Sequence, residues 1–357
     1  MKLSNFDYYL PKELIAQQPV SPRDSSRLMV VDRRKKKIEH KHFYDIFDYL
    51  KKGDILVLND TRVFPARLIG HREKTGGRVE VFLLARSKEQ KAKNKYETWE
   101  ALIGNRRKKV GQIIEFGRGL ECQILKRIDE SVWEVRFNKS GRQLEKLIDK
   151  MGNVPTPPYV KTKNLKLKTE KLKNDYQTVY AKHRGSVAAP TAGFHFTKPL
   201  INKLKRKGVQ FAFITLHVGF GTFEPVKVQD ILKHKMYAEV AVLDKKTAEK
   251  LNEAKKDGRR IIAVGTTTVR TLETFVRRSG KPGFPLRQGN RWTDIFIYPG
   301  YKFKFVDAMI TNFHLPQSTL LMLISAFAGR GFILKAYQEA IKKQYRFYSF
   351  GDSMFIY

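Results

Sequence analysis

Cysteine is almost absent from this 357-residue chain: Cys122 stands alone, so no intrachain disulfide can form and a reducing compartment is expected. No Cys/His cluster has zinc-site spacing, so no structural metal is expected to hold the fold. Long apolar runs are missing too. The longest, Leu320–Ala328, is far short of the ~20 residues a membrane span needs. The start, MKLSNFDYYLPKEL, shows no apolar stretch ahead of a cleavage site, so the expectation is a soluble, unexported, cytoplasmic protein without membrane partners. Acidic residues are scarce, 35 against 70 Lys+Arg, which gives a formal charge of +35 and points to a polyanionic partner. A lysine bias spread across a whole proteome is the competing source of that charge. No P-loop lysine and no three-glycine dinucleotide fingerprint is visible, which speaks against ATP and NAD.

What is present suffices for a core: 41% hydrophobic and 12% aromatic residues exclude a wholly disordered basic tail. The length favours two domains or one with a large insertion. Leu10–Ala16 reads as a short helix, Arg27–Val31 and Ile55–Leu58 read as strands, and Arg33–Lys37 reads as a basic turn. From Ala66 the pattern changes to six closely spaced strands: Ala66–His71, Arg78–Leu84, Trp99–Gly104, Gln112–Phe116, Leu120–Arg127 and Val132–Phe137. Hairpin-length links make them a small antiparallel barrel. After a helix at Gly141–Lys150 and the lysine-rich loop Lys161–Lys173, helices again alternate with buried strands, as in a mainly parallel α/β sheet. The expected architecture is an α/β catalytic domain made of residues 1–63 and 151–357. A six-stranded antiparallel β-barrel is inserted at 64–150.

Four stretches could carry chemistry. In Ser186–Thr197, small residues around Thr191, Ala192 and Gly193 let a ligand approach the backbone, and His195 is a candidate acid/base. A packed histidine between Phe194 and Phe196 is the alternative. In His217–Pro225, Gly219 and Gly221 flank Phe220 at the end of a long apolar strand, where ligands collect in open α/β sheets; His217 and Glu224 would face one crevice. In Ala263–Glu273, Thr266 and Thr267 offer hydroxyls, free N–H groups and a helix dipole to an anion, with Arg270 one turn inward. An ordinary threonine cap competes with that reading. In Thr311–Leu320, Asn312 and His314 precede an apolar helix and would form a polar wall. The aromatic and Arg-bearing tail Tyr345–Met354 suits either base stacking or core packing.

Taken together the motifs resemble the S-adenosylmethionine:tRNA ribosyltransferase-isomerase family of queuosine biosynthesis. The matching segments include Leu10–Gln17, Arg23–Leu28, Leu58–Val63, Tyr176–Ala181, Val187–Thr197, His217–Pro225, Gly265–Glu273, Thr293–Tyr301, Thr311–Leu320 and Tyr345–Met354. They run in family order from the first twenty residues to the end. One departure stands out, since Met236-Tyr237 replaces the family's Met-His pair before Glu239.

The resemblance implies an α/β domain with an inserted barrel. It implies transfer and isomerisation of the ribosyl group of S-adenosylmethionine, consumed as co-substrate, onto 7-aminomethyl-7-deazaguanine at the tRNA wobble position. Epoxyqueuosine-tRNA forms, adenine and methionine leave, no metal takes part, and a monomer is expected. His195 or His217 would be the base, Glu224 would orient or shuttle protons, and Thr191, Ala192, Gly193, Gly219, Gly221, Thr266, Thr267, Arg270, Asn312 and His314 would bind substrate. The alternatives are a non-catalytic basic tRNA- or RNA-binding protein and a methyltransferase. The second would ordinarily carry a Gly-rich first strand-to-helix turn, which is not seen.

Overall fold

The computed structural model describes residues 1–87, 96–104, 108–155, 159, 174–219, 226–276 and 285–357. Arg106, Arg107, Gly221, Glu224 and the stretch Lys161–Lys173 lie outside them.

A nine-stranded mixed sheet forms the main body. In spatial order its strands are Gly289–Thr293, Glu239–Leu243, Gln210–His217, Ile55–Asn59, Ile261–Val264, Ala308–Asn312, Ser353–Ile356, Arg27–Asp32 and Lys37–His42. The central four, Gln210–His217 through Ala308–Asn312, run parallel. Antiparallel neighbours flank them on both sides. The expected α/β class is thus borne out, with the parallel pattern confined mostly to the middle of the sheet.

Alternation explains why the central strands read as continuous apolar runs. Ile55 and Val57 enter one core while Leu56 and Leu58 enter the other; Ile261 and Ala263 alternate with Ile262 and Val264 in the same way. Both faces are therefore covered by helices. One face packs against Lys245–Lys256, Thr266–Phe275, Thr319–Ala328 and Arg330–Lys342, and the other against Lys198–Arg206. Local signals start these helices. Thr197 Oγ1 accepts the Leu200 N–H at 3.3 Å, Asp244 Oδ1 accepts Thr247 N–H at 2.9 Å, and Ser318 Oγ accepts Leu321 N–H at 3.2 Å. Leu200 and Leu204, one turn apart, are the buried side chains of Lys198–Arg206.

The second body is a closed six-stranded antiparallel barrel, in the order Val132–Phe137, Glu97–Ile103, Arg78–Arg86, Arg67–Arg72, Ile113–Gly117 and Leu120–Arg127. Strict alternation drives it: Leu120, Cys122 and Ile124 point inward with Val79, Val81 and Leu83. The chain enters and leaves the barrel side by side, where Arg67 and Asn153 exchange backbone hydrogen bonds of 3.2 and 2.8 Å.

One expectation needs correction, and two readings are completed by the structure. Leu10–Ala16 makes only a 3₁₀ turn at Lys12–Leu14, because Pro11 and the β bridge of Ile15 to Phe347 hold its ends extended. The basic run after Asp32 is the turn of a hairpin whose second strand, Lys37–His42, is an edge strand with polar side chains. The aromatic tail is core: Tyr345, Phe347 and Met354 are fully buried, and the closing strand Ser353–Ile356 inserts between Ala308–Asn312 and Arg27–Asp32. Tyr345 and Phe347 have no ring surface left for stacking on RNA.

Candidate active site at the carboxyl edge of the sheet

Because the central strands are parallel, their carboxyl ends share one edge. Asn59, His217, Gly265 and Asn312 therefore arrive together although they are far apart in sequence. Among the cavities at this edge, one touches Val218 and another touches His217 and Gly219.

The smaller, of about 130 Å3, is lined by Thr191, Ala192, Thr266, Thr267, Asn312 and His314, among others. The structure thus brings together six of the residues expected to bind substrate. Gly265, at φ +89°, turns the chain directly from strand into helix, so Thr266 and Thr267 form the first turn. Their neighbours Thr268 and Thr271 spend their hydroxyls on carbonyls four residues back, at 2.7 and 2.9 Å. Thr267 Oγ1, in contrast, is buried without a partner. Across the cavity, Asn312 Nδ2 donates to the Tyr348 carbonyl at 2.9 Å while its Oδ1 is buried and unpaired. His314 Nε2 lies 2.8 Å from Thr311 Oγ1, and burial pushes its imidazole down to about 3, so it is neutral. Unsatisfied buried polar atoms around a void are where a ligand's own donors and acceptors belong.

His195 sits under this cavity rather than in its wall. It ends the 3₁₀ turn Thr191–His195, with Nδ1 2.7 Å from Ser26 Oγ and the Phe43 ring against it. Burial lowers it to about 3; Asn312 works against that shift, yet His195 Nε2 and Asn312 Oδ1 form no hydrogen bond of good geometry. Gly193 likewise faces inward, since a Cβ there would stand 1.9 Å from the Tyr180 hydroxyl.

The larger cavity, of about 390 Å3, lies in the seam between barrel and sheet. Phe64 and Trp99 come from the barrel side, Trp292 from the edge strand Gly289–Thr293, Tyr237 from the segment just before strand Glu239–Leu243, and His217, Gly219, Gly185 and Glu239 from the sheet end. Tyr237 is 44% exposed at its wall. His217 Nδ1 lies 2.9 Å from Thr61 Oγ1, and its ring lies flat over Gly185. Burial, reinforced by His183, pushes His217 down to about 4, so it too is neutral near pH 7.

Arg270 does not reach either cavity. Its Nη1 is paired with Glu239 Oε2, both side chains being nearly fully buried, and its Nη2 has no partner. Glu239 Oε1 in turn accepts the Gly219 N–H at 2.9 Å. Sequence reasoning passed over Glu239, as it did Asn59, whose amide grips Leu216 in both directions at 3.0 Å and also accepts Thr61 N–H at 3.1 Å. The available signal was polarity: Asn59-Asp60-Thr61 follows four apolar strand residues with no turn-forming Gly or Pro. Among the described residues, no three His, Cys, Asp or Glu side chains gather as a metal site would need.

A family model described as "Queuosine biosynthesis protein" matches residues 3–356. The chain is 51% identical over 360 residues to an S-adenosylmethionine:tRNA ribosyltransferase-isomerase from Clostridioides difficile (strain 630), covering 100% of both. A protein of the same name from Clostridium kluyveri is also 51% identical, again over 100% of both chains. A crystal structure of S-adenosylmethionine tRNA ribosyltransferase from Thermotoga maritima is 39% identical, with a TM-score of 0.53, and the match covers 99% of this chain and 100% of that one.

Proposed function

The chain belongs to the queuosine biosynthesis protein family, and from that premise we propose how its carboxyl-edge site performs the family's reaction. The protein is an S-adenosylmethionine:tRNA ribosyltransferase-isomerase. It moves the ribosyl group of S-adenosylmethionine, a consumed co-substrate, onto 7-aminomethyl-7-deazaguanine at the tRNA wobble position, releasing adenine and methionine. A tRNA substrate supports a cytoplasmic location.

The observation that carries the assignment of roles is the pair of cavities that flank the strand end, one lined by His217 and Gly219 and the other by Val218. The smaller, with Thr267 Oγ1 and Asn312 Oδ1 unsatisfied, suits the polar groups of the donor. A carboxylate or ribose hydroxyl there gains the helix-start N–H groups of Thr266 and Thr267. The larger, with Tyr237 and Trp292 exposed at its wall, suits a nucleobase extruded from the anticodon loop and stacked on aromatic rings. His217 borders it and is neutral, so Nε2 takes the proton from the ribosyl carbon beside the sulfonium. Its low basicity is offset by proximity, since the acceptor is held in place before the substrate arrives. Glu239, held by Arg270, fixes Gly219 and with it the strand end that carries His217. His195, 4% exposed, is tied to Ser26 beneath the cavity and takes no direct part in the reaction.

Incubation with S-adenosylmethionine and tRNA carrying the precursor base should release adenine and methionine. S-adenosylhomocysteine as the product would indicate methylation instead, and binding without turnover would favour a non-catalytic RNA binder. Thr267→Val and Asn312→Ala should raise KM for S-adenosylmethionine about tenfold or more. Unchanged KM in both would remove the donor from the smaller cavity.

A further inference from the structure

Thr61 contributes one hydroxyl proton and touches two groups: His217 Nδ1 at 2.9 Å and the His183 carbonyl at 3.4 Å. The carbonyl can only accept. Both contacts are satisfied at once in a single arrangement, in which the hydroxyl donates to His183 O and accepts from His217 Nδ1–H. We infer that Thr61 is a positioning residue that fixes the neutral His217 imidazole as its Nδ1–H tautomer, leaving Nε2 as the lone-pair nitrogen.

The surroundings are built for this. Thr61 is fully buried, and its backbone N–H is held by Asn59 Oδ1. The same Asn59 amide pins both backbone groups of Leu216, the residue before the histidine. Strand His183–Ser186 runs parallel to Thr61–Val63, with His183 in register with Thr61. That pairing sets the carbonyl beside the hydroxyl. Gly185 leaves room for the ring, since a Cβ there would lie 2.6 Å from Cε1 and 2.8 Å from Nε2. Nε2 itself makes no hydrogen bond among the described residues, and the ring lines the larger cavity. Had the hydroxyl donated to Nδ1 instead, the proton would sit on Nε2 and the nitrogen would have no lone pair to offer. Second partners that choose a histidine's tautomer are a general device for catalytic and metal-binding imidazoles.

The inference rests on His217 as proton acceptor, so its test separates the two. Long-range proton–nitrogen NMR of the full-length wild-type enzyme should show His217 with a protonated Nδ1 and a bare Nε2. Thr61→Val, which keeps the shape and removes the hydroxyl, should lower kcat for adenine release about tenfold or more, with KM for S-adenosylmethionine changed by less than about twofold. Thr61→Ser should restore most of the rate. His217→Asn, measured alongside, should be inactive. A His217→Asn enzyme that releases adenine at the wild-type rate would remove the base assignment. An inactive His217→Asn with Thr61→Val at the wild-type rate, or an Nε2-protonated His217 in the wild type, would overturn the role given to Thr61. The NMR result does not depend on any variant folding.

Discussion

Glu239→Gln isolates one charge at the heart of the site. The glutamate is buried against Arg270 Nη1, and Arg270 Nη2 already lacks a partner. Glutamine keeps an oxygen for the Gly219 N–H, so the perturbation is chiefly the loss of the negative charge facing a buried guanidinium. Removing one member of a buried pair typically costs about 3–5 kcal/mol, because the remaining charge is desolvated and uncompensated. At roughly 2–4 °C per kcal/mol for a domain of a couple of hundred residues, the melting temperature should fall by about 6–20 °C. Arg270→Met should cost a similar amount for the mirror-image reason. Glu239→Gln/Arg270→Met, having no buried charge, should be more stable than the sum of the singles by about 2–3 kcal/mol. Circular dichroism melts and urea titrations of the four proteins measure this cycle. If the single variants lose under about 0.5 kcal/mol, or if their losses simply add, the pair does not hold the strand end and the argument is wrong.

Acid should destabilise the protein well above the carboxylate range. His195 and His314 are each lowered from 6.5 to about 3 by burial, so only the unfolded chain takes up protons as the pH drops below about 6.5. The stabilisation of the neutral forms is full above that value. It should fall by about 1.4 kcal/mol per histidine per pH unit, or about 4 kcal/mol for the two at pH 5. Asp60 and Asp352, raised by burial, act in the opposite sense. Urea midpoints that stay flat between pH 7 and 5 would contradict this. Gly185→Ala should push a methyl group into the His217 ring, costing about 1–3 kcal/mol and lowering kcat; a variant with wild-type rate would mean the ring is not held there. Affinity for tRNA should fall by a decade or more between 50 and 200 mM salt if even a few phosphates are neutralised, and a flat response would count against backbone contacts.

Much of the scaffold was legible because it is local. Val79, Val81 and Leu83 alternate as a barrel strand must, Ile55–Leu58 is apolar throughout as a strand covered on both faces must be, and Thr197 with Pro199 starts a helix wherever the chain goes. The resemblance added the reaction. The sequence also identified which stretches hold the polar groups, and six of those residues do surround one cavity.

Tertiary structure decided which of them face outward. His195 and His217 look alike in sequence, each within three residues of a glycine and a phenylalanine, yet one points down to Ser26 and the other lies along a cavity wall. Polar edge strands such as Lys37–His42 exist only because Arg27–Asp32 is there to pair with them. The contacts that fix the site, Asn59 to Leu216, Thr61 to His217 and Glu239 to Arg270, join residues 157, 156 and 31 positions apart. No pattern within a window of the chain encodes them. They arise because parallel strands bring their carboxyl ends to one edge, where ladder pairing stops and side chains must satisfy the backbone groups left over.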